Sequence, residues 1–438
     1  MVRRRHPLSR DLFVLLIAPF VFAGCSGSET SPGSGGAMGD GGTAGSGGSA
    51  GSGGAPSGGT GGSGGSTATG GAAGSAGSAG AAGAAGSPGS SMWGLTARVT
   101  PQTCLPPASR DAAPALLSQS GCVDPGDPTR PAAALIPYGI TSPLWSDGAA
   151  KQRFIALPDD GTITVKNCAA DPDACTEGTD TYTPLDDGDF SFPDGTVLVK
   201  TFGFGDRLVE TRLLVRVDEF NWWGFSYEWR ADQSDADLLP ANETGFERSI
   251  ETDTGTQTWH FPSRSQCLQC HTEATGRALG PEAAQLDADF TYPSGVVSHQ
   301  LETLEHIGVI DPGAVPASID PYPNPLDASA PLAARARSYL HANCANCHRP
   351  GGESSVTLDL RFGTPLGETG LCDAPEKGDL GVAGALRVAP GDPASSVLSL
   401  RMKTLDPEVR MPRIGTRVVD ADAVAVIDAW IESLAACP

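Results

Sequence analysis

Two five-residue stretches carry the residue types with the most chemistry in this 438-residue chain: Cys267-Leu268-Gln269-Cys270-His271 and Cys344-Ala345-Asn346-Cys347-His348. The spacing suits covalent haem attachment. Two cysteines three positions apart can each add S–H across one vinyl group of a porphyrin, and the adjoining histidine then lies under the ring, where its imidazole binds iron. The rival chemistry is zinc, because two Cys-x-x-Cys pairs could offer four thiolates to a structural site. A histidine after each pair is superfluous to such a site, and the pairs stand 77 positions apart, longer than zinc-ribbon spacing. A dithiol redox motif needs a thioredoxin-like strand–helix setting, which flanks neither pair. The expected cofactors are therefore two covalently bound haem c groups with their iron.

An iron bound on one side leaves the other side to be filled. For the second motif the candidate is Met411, in "RMPRIG", 63 positions beyond His348 and shortly before the last helical stretch. A thioether there favours reduced iron and raises its potential. The first motif has no such partner, since no methionine lies between His271 and Met402. Its candidates are His299 and His306, seven apart and so on one side of a helix, with His260, His341, Met402 or an open position as alternatives. No catalytic residue is assigned, because an open iron could react whereas a saturated one passes electrons.

The elements that must position these groups divide the chain. Between 92 and 262 the pattern is that of strands. Val209, Thr211, Leu213, Val215 and Val217 alternate with more polar positions, the period of a half-buried strand. Trp223, Phe225, Tyr227 and Trp229 share one strand face and read as a core, with a sugar-binding or haem-shielding strip as the alternative. From 263 the texture becomes helical. "PLAARARSYLHANCANCH" predicts a helix leading into the second motif. Near the end, Asp420 is a good N-cap, and Val424, Ile427, Ile431 and Leu434 form an apolar stripe. The expected fold is multidomain: a sandwich-like β-rich domain (92–262), a first haem segment (263–328) and an α-helical, cytochrome c-like domain with the second haem (329–438).

The remaining sequence concerns location. Residues 1–25 predict an export signal, with Arg3, Arg4, Arg5 and Arg10 before the apolar run Leu12–Ala23. The run ends in Phe22-Ala23-Gly24-Cys25, a bacterial lipobox pattern that makes Cys25 the expected lipidation site. Residues 26–91 are almost wholly Gly, Ser, Ala and Thr, too poor in apolar surface to fold, and predict a disordered tether. Ser26 rather than Asp after Cys25 favours the outer over the inner membrane. The chain has 29 basic and 51 acidic residues, net −22, which gives no support to nucleic-acid binding. Outside the two motifs and Cys25, six cysteines remain. An even number in an exported chain suggests disulfides, and Cys104–Cys122, Cys168–Cys175 and Cys372–Cys437 are candidate pairs that leave no orphan.

The runs "YGITSPLWSDGAAKQRFIALP", "FPDGTVLVKTF", "WHFPSRSQCLQCH", "LGPEAAQLD", "ARSYLHANCANCHRPGG" and "RMPRIG" resemble a bacterial family of diheme c-type cytochromes without an assigned reaction. The resemblance covers roughly 130 to 437. It implies covalent haem at Cys267, Cys270 and His271 and at Cys344, Cys347 and His348, with Met411 distal at the second. It also implies redox partner proteins, among them a quinoprotein dehydrogenase as electron donor. The expected function is membrane-tethered electron transfer between an extracytoplasmic redox enzyme and a further acceptor. The alternatives are a diheme peroxidase-like enzyme and a surface binding protein with an accessory cytochrome.

Overall fold

β-Branched and aromatic residues concentrate between 136 and 238, and there they build a six-stranded antiparallel sheet. Its strands are β1 (Ile136–Pro137), β2 (Ala150–Ala156), β3 (Val197–Phe204), β4 (Arg207–Arg216), β5 (Trp222–Trp229) and β6 (Ala236–Leu238), ordered β6-β5-β4-β3-β2-β1. The computed structural model describes residues 93–438 apart from 173, 174, 176–182, 219 and 220. The expected signal (1–25), lipidation at Cys25 and tether (26–91) lie outside the described residues. Phe204 pairs with Arg207, leaving a two-residue turn in which Gly205 takes φ +53°, a conformation glycine adopts without steric cost.

Strand alternation sends side chains to two faces. On one face Val199, Leu213, Phe225, Tyr227 and Trp229 are buried against segment 104–135, which the Cys104–Cys122 disulfide ties together. The aromatic strip of β5 is thus spent on packing, with Trp223 only partly buried beside it. On the other face Ile155, Leu198, Leu214 and Trp222 pack under α2 (Ala283–Leu286) and α3 (Gln300–His306). Farther along that face, Phe202 meets Trp259 edge-on at 5.6 Å between ring centroids. Trp259 belongs to the hairpin β7 (Phe246–Thr252) and β8 (Gly255–Phe261).

Beyond the sheet come α1 (Arg264–Cys270), α4 (Leu332–Asn343), α5 (Val397–Met402) and α6 (Ala421–Ser433). Helix α6 starts where the Asp420 carboxylate accepts the Ala423 N–H at 3.0 Å, an N-cap contact. Its Val424, Ile427, Trp430 and Ile431 pack with Leu340 of α4 and with Val388. Cys372–Cys437 joins the end of the chain to this cluster, and Cys168–Cys175 closes a short loop.

Two expectations are corrected here. The chain after 263 is not an α-helical, cytochrome c-like domain: the described residues hold mostly antiparallel β-structure and six α-helices of 4 to 13 residues. Between Pro350 and Pro393 prolines and glycines recur, and Gly351, Gly370, Gly378, Gly381, Gly384 and Gly391 all take positive φ. Such a backbone cannot continue a helix. The sandwich is corrected as well. Among the described residues one sheet exceeds two strands, and its second face is covered by short helices, loops and the two-stranded β7–β8 hairpin rather than by a second large sheet.

The described residues from 93 onward form one compact unit, and segment 142–147 stitches it together. Ser142 Oγ donates to Ser338 O at 3.0 Å, and the Trp145 N–H and indole N–H donate to Asn343 Oδ1 at 2.6 Å and Val418 O at 2.9 Å. Asp147 Oδ1 accepts the N–H groups of Arg417 and Val418 at 2.8 and 2.9 Å. Among the described residues no helix is long and apolar enough to cross a membrane.

A pH dependence follows from Asp189, which lies 3.4 Å from Lys166 Nζ. Burial, opposed by Lys166 and reinforced by Glu282, pushes this carboxyl from 3.8 up to about 6. The folded chain therefore holds the proton more tightly than the unfolded one. This contribution to stability is complete below about pH 4 and is lost as the pH rises through about 6. Asp189→Asn is expected to flatten the stability curve between those values, read by urea unfolding across that range. An unchanged slope would contradict the assignment.

Candidate functional site

The first motif is set by a capping box. Ser263 Oγ accepts the Gln266 N–H at 3.1 Å, and Gln266 Oε1 accepts the Ser263 N–H at 2.9 Å, satisfying two donors at the start of α1. One turn of helix then carries Cys267 and Cys270, and His271 follows as its C-cap. Gly224 of β5 lets the helix lie close, since a Cβ there would stand 3.1 Å from Cys267 Sγ. Next the chain turns back through Gly276 and Arg277 at φ +64° and +65°. A non-glycine residue in this region costs of order 1–3 kcal/mol. The turn brings Arg277 O to 2.6 Å from His271 Nδ1. A carbonyl can only accept, so Nδ1 carries the hydrogen and Nε2 keeps its lone pair, the arrangement that orients a metal-binding imidazole. Burial, then Lys200, pushes His271 down to about 4, which keeps that lone pair free at neutral pH.

The second motif continues past α4 as a helical turn, in which the Cys347 and His348 N–H groups donate to Cys344 O at 3.1 and 2.9 Å. His348 Nδ1 is buried and hydrogen-bonded to nothing among the described residues. The structure brings the motifs together: both, with Met411, line one cavity of about 980 Å³, near the upper end of the roughly 300–1,000 Å³ of ordinary ligand pockets. The Cys270 thiol donates to Cys347. Arg349 clamps the two segments, donating to Ala274 O at 3.1 Å and Ala345 O at 2.9 Å. Burial pushes the Cys344 thiol up to about 12 and raises Cys267, while the bond to Cys347 raises Cys270. These three are neutral thiols at neutral pH. Among the described residues no three His, Cys, Asp or Glu side chains gather as ligands of a bare metal ion.

The other candidates fall elsewhere. His299 Nε2 contacts Asp287 Oδ1 at 2.9 Å, and His306 stacks on Trp93 at 4.8 Å; neither lines the cavity. Met402 is buried in the cluster around α4 and α6. His260 and His341 do line the cavity, but their nitrogens are engaged. His260 contacts Gln266 Oε1 at 3.1 Å and Arg417 Nη2 at 3.4 Å. His341 contacts Glu282 Oε1 at 3.2 Å and accepts the Phe362 N–H at 3.0 Å.

The sheet side of the cavity carries residues that sequence reasoning missed. Arg153 of β2 stands opposite Lys200 of β3, which stands opposite Arg212 of β4, with Lys151 two positions before Arg153. Like charges directly opposite are unfavourable. Burial, then Arg153 and Arg212, pushes both Lys151 and Lys200 down to about 7. A signal was present: Lys200 interrupts the buried run "VLVKTFGF", where a lysine has no ordinary place. Arg277 had none, since its role is a backbone carbonyl. Neither a family model, nor a curated protein, nor a solved structure matches this chain.

Proposed function

We propose that the chain is a diheme c-type cytochrome in function, relaying electrons between an extracytoplasmic redox enzyme, a quinoprotein dehydrogenase being one candidate, and a further acceptor. Lipid at Cys25 would hold it to the cell envelope. The observation that carries the proposal is the convergence of both Cys-x-x-Cys-His motifs and Met411 on one cavity. The residues fit the cofactor. Four half-buried thiols can add S–H across vinyl groups with no atom lost. His271 offers a lone pair already oriented by Arg277 O, and His348 has a buried nitrogen still unspent. Bound haem would supply one-electron exchange at iron. The chain's own part is to hold the imidazoles, present the Met411 thioether and bring the two attachment sites into contact through Cys270 and Cys347.

The test is intact mass and visible spectrum of the full chain produced with a haem-attachment system. The wild type is expected to carry two haems, and the double replacements Cys267→Ala/Cys270→Ala and Cys344→Ala/Cys347→Ala one each. A wild type without covalent haem would end the proposal. The placement of His299, His306 and Met402 outside the cavity favours a second reading, a diheme enzyme with an open position across from His271. Carbon monoxide binding to the reduced protein at that site would support it, and low-spin six-coordinate spectra at both sites would count against it.

A further inference from the structure

The cationic row on the cavity side of the sheet has a feature that the attachment motifs do not explain. Arg212 is neutralised: its Nε and Nη2 donate to the two Glu210 oxygens at 2.8 and 2.7 Å. Among the described residues Arg153 and Lys200 have no carboxylate partner, unlike the arginines that pair with Asp186, Asp359 or Glu376 nearby. Arg153 is only 9% exposed, and its Nε is buried with no hydrogen-bond acceptor among the described residues. A buried guanidinium whose Nη1 reaches only Lys151 O at 3.5 Å and whose Nε is unspent, beside a half-buried ammonium in a chain of net charge −22, marks a site shaped for an anion.

Position says which anion. Cys267 lies against Gly224 of β5, and β5 pairs with β4, so Arg212 of β4 is the member of the row nearest the first motif. Lys200 and Arg153 lie one and two strands farther from the first motif, or roughly 5 and 10 Å at ordinary strand spacing. In a haem held by two thioethers, the two carboxylates leave the porphyrin from the edge opposite the vinyl-derived bonds. A haem attached there would turn its thioether edge toward the compensated Arg212 and its carboxylate edge toward the uncompensated pair. We infer that Lys200 and Arg153 form a buried carboxylate site that takes up the propionates of the haem attached at Cys267 and Cys270. This rests on the diheme reading above. Through those contacts the two side chains seat the far edge of the ring and hold its iron toward the reduced state.

The test uses the full chain with haems attached. Lys200→Met and Arg153→Met are expected to keep two haems by mass. Each should move one redox potential, that of the first haem, to a lower value, with the second haem's potential unchanged. Lys200→Arg, which keeps the charge, should restore it. If mass shows two haems and both potentials stay put in both methionine variants, the row does not face the propionates and the inference falls while the diheme reading stands. A wild type without haem sinks both. A wild-type potential that responds to added acetate at fixed ionic strength would show a row open to free carboxylates, and would also overturn the assignment.

Discussion

If the chain carries the two haems proposed, Met411→Ala should lower the potential of the iron that His348 would bind and leave the other nearly where it was. Axial ligands span roughly 0.8 V of haem potential, and loss of a soft thioether removes one of the stronger stabilisers of the reduced form, so the drop should be a sizeable part of that range. The thioether sits at the cavity wall, in a segment tied to α5 by the Met411 N–H donating to Arg401 O at 3.0 Å. Met402→Ala is the matched control. That side chain is buried among α4 and α6, so its loss should weaken the fold without moving either potential. Spectroelectrochemical titration reads both. Equal potentials in wild type and Met411→Ala would remove Met411 from the ligand set.

The largest effect on stability is expected at Glu210. Its carboxylate is fully buried, accepts two N–H groups of Arg212, and also accepts the Trp259 indole N–H at 3.0 Å. Glu210→Ala strands that indole and leaves a third cation without a counterion beside Lys200 and Arg153. Breaking a buried pair from one side costs about 3–5 kcal/mol, against a total of about 5–15 kcal/mol for a typical fold. The double replacement Glu210→Ala/Arg212→Met removes both charges and should lose less than Glu210→Ala alone. Guanidinium unfolding midpoints decide the matter: a double variant no more stable than the single would show that charge is not what holds this pair.

The site was more legible in the sequence than the fold. Cysteine and histidine spacing is local chemistry, so both motifs and their place on helical turns could be read directly, as could the Asp420 cap of α6. That the motifs share one cavity could not, because it depends on sheet topology and on the Ser142–Asp147 stitch to residues some 200 to 270 positions away. The helical expectation after 263 failed because α4 and α6 carry helical patterning while the stretch between them is rich in glycine and proline, with several glycines at positive φ. Helical periodicity reports an element, not a domain. The charged row escaped because strand patterning was read for its apolar positions, and Arg153, Lys200 and Arg212 come into line only when three strands are laid side by side.

The stitch at 142–147 also bears on timing. The sheet and its charged floor end at Leu238, so during synthesis they emerge before either attachment motif. The partners of Trp145 and Asp147, by contrast, are Asn343, Arg417 and Val418, which emerge later, the last two near the end. Once Trp145 and Asp147 have gripped those residues, the sheet and the last helix hold each other, so the half-buried cysteines of both motifs take up their final spacing only when nearly the whole chain is in place.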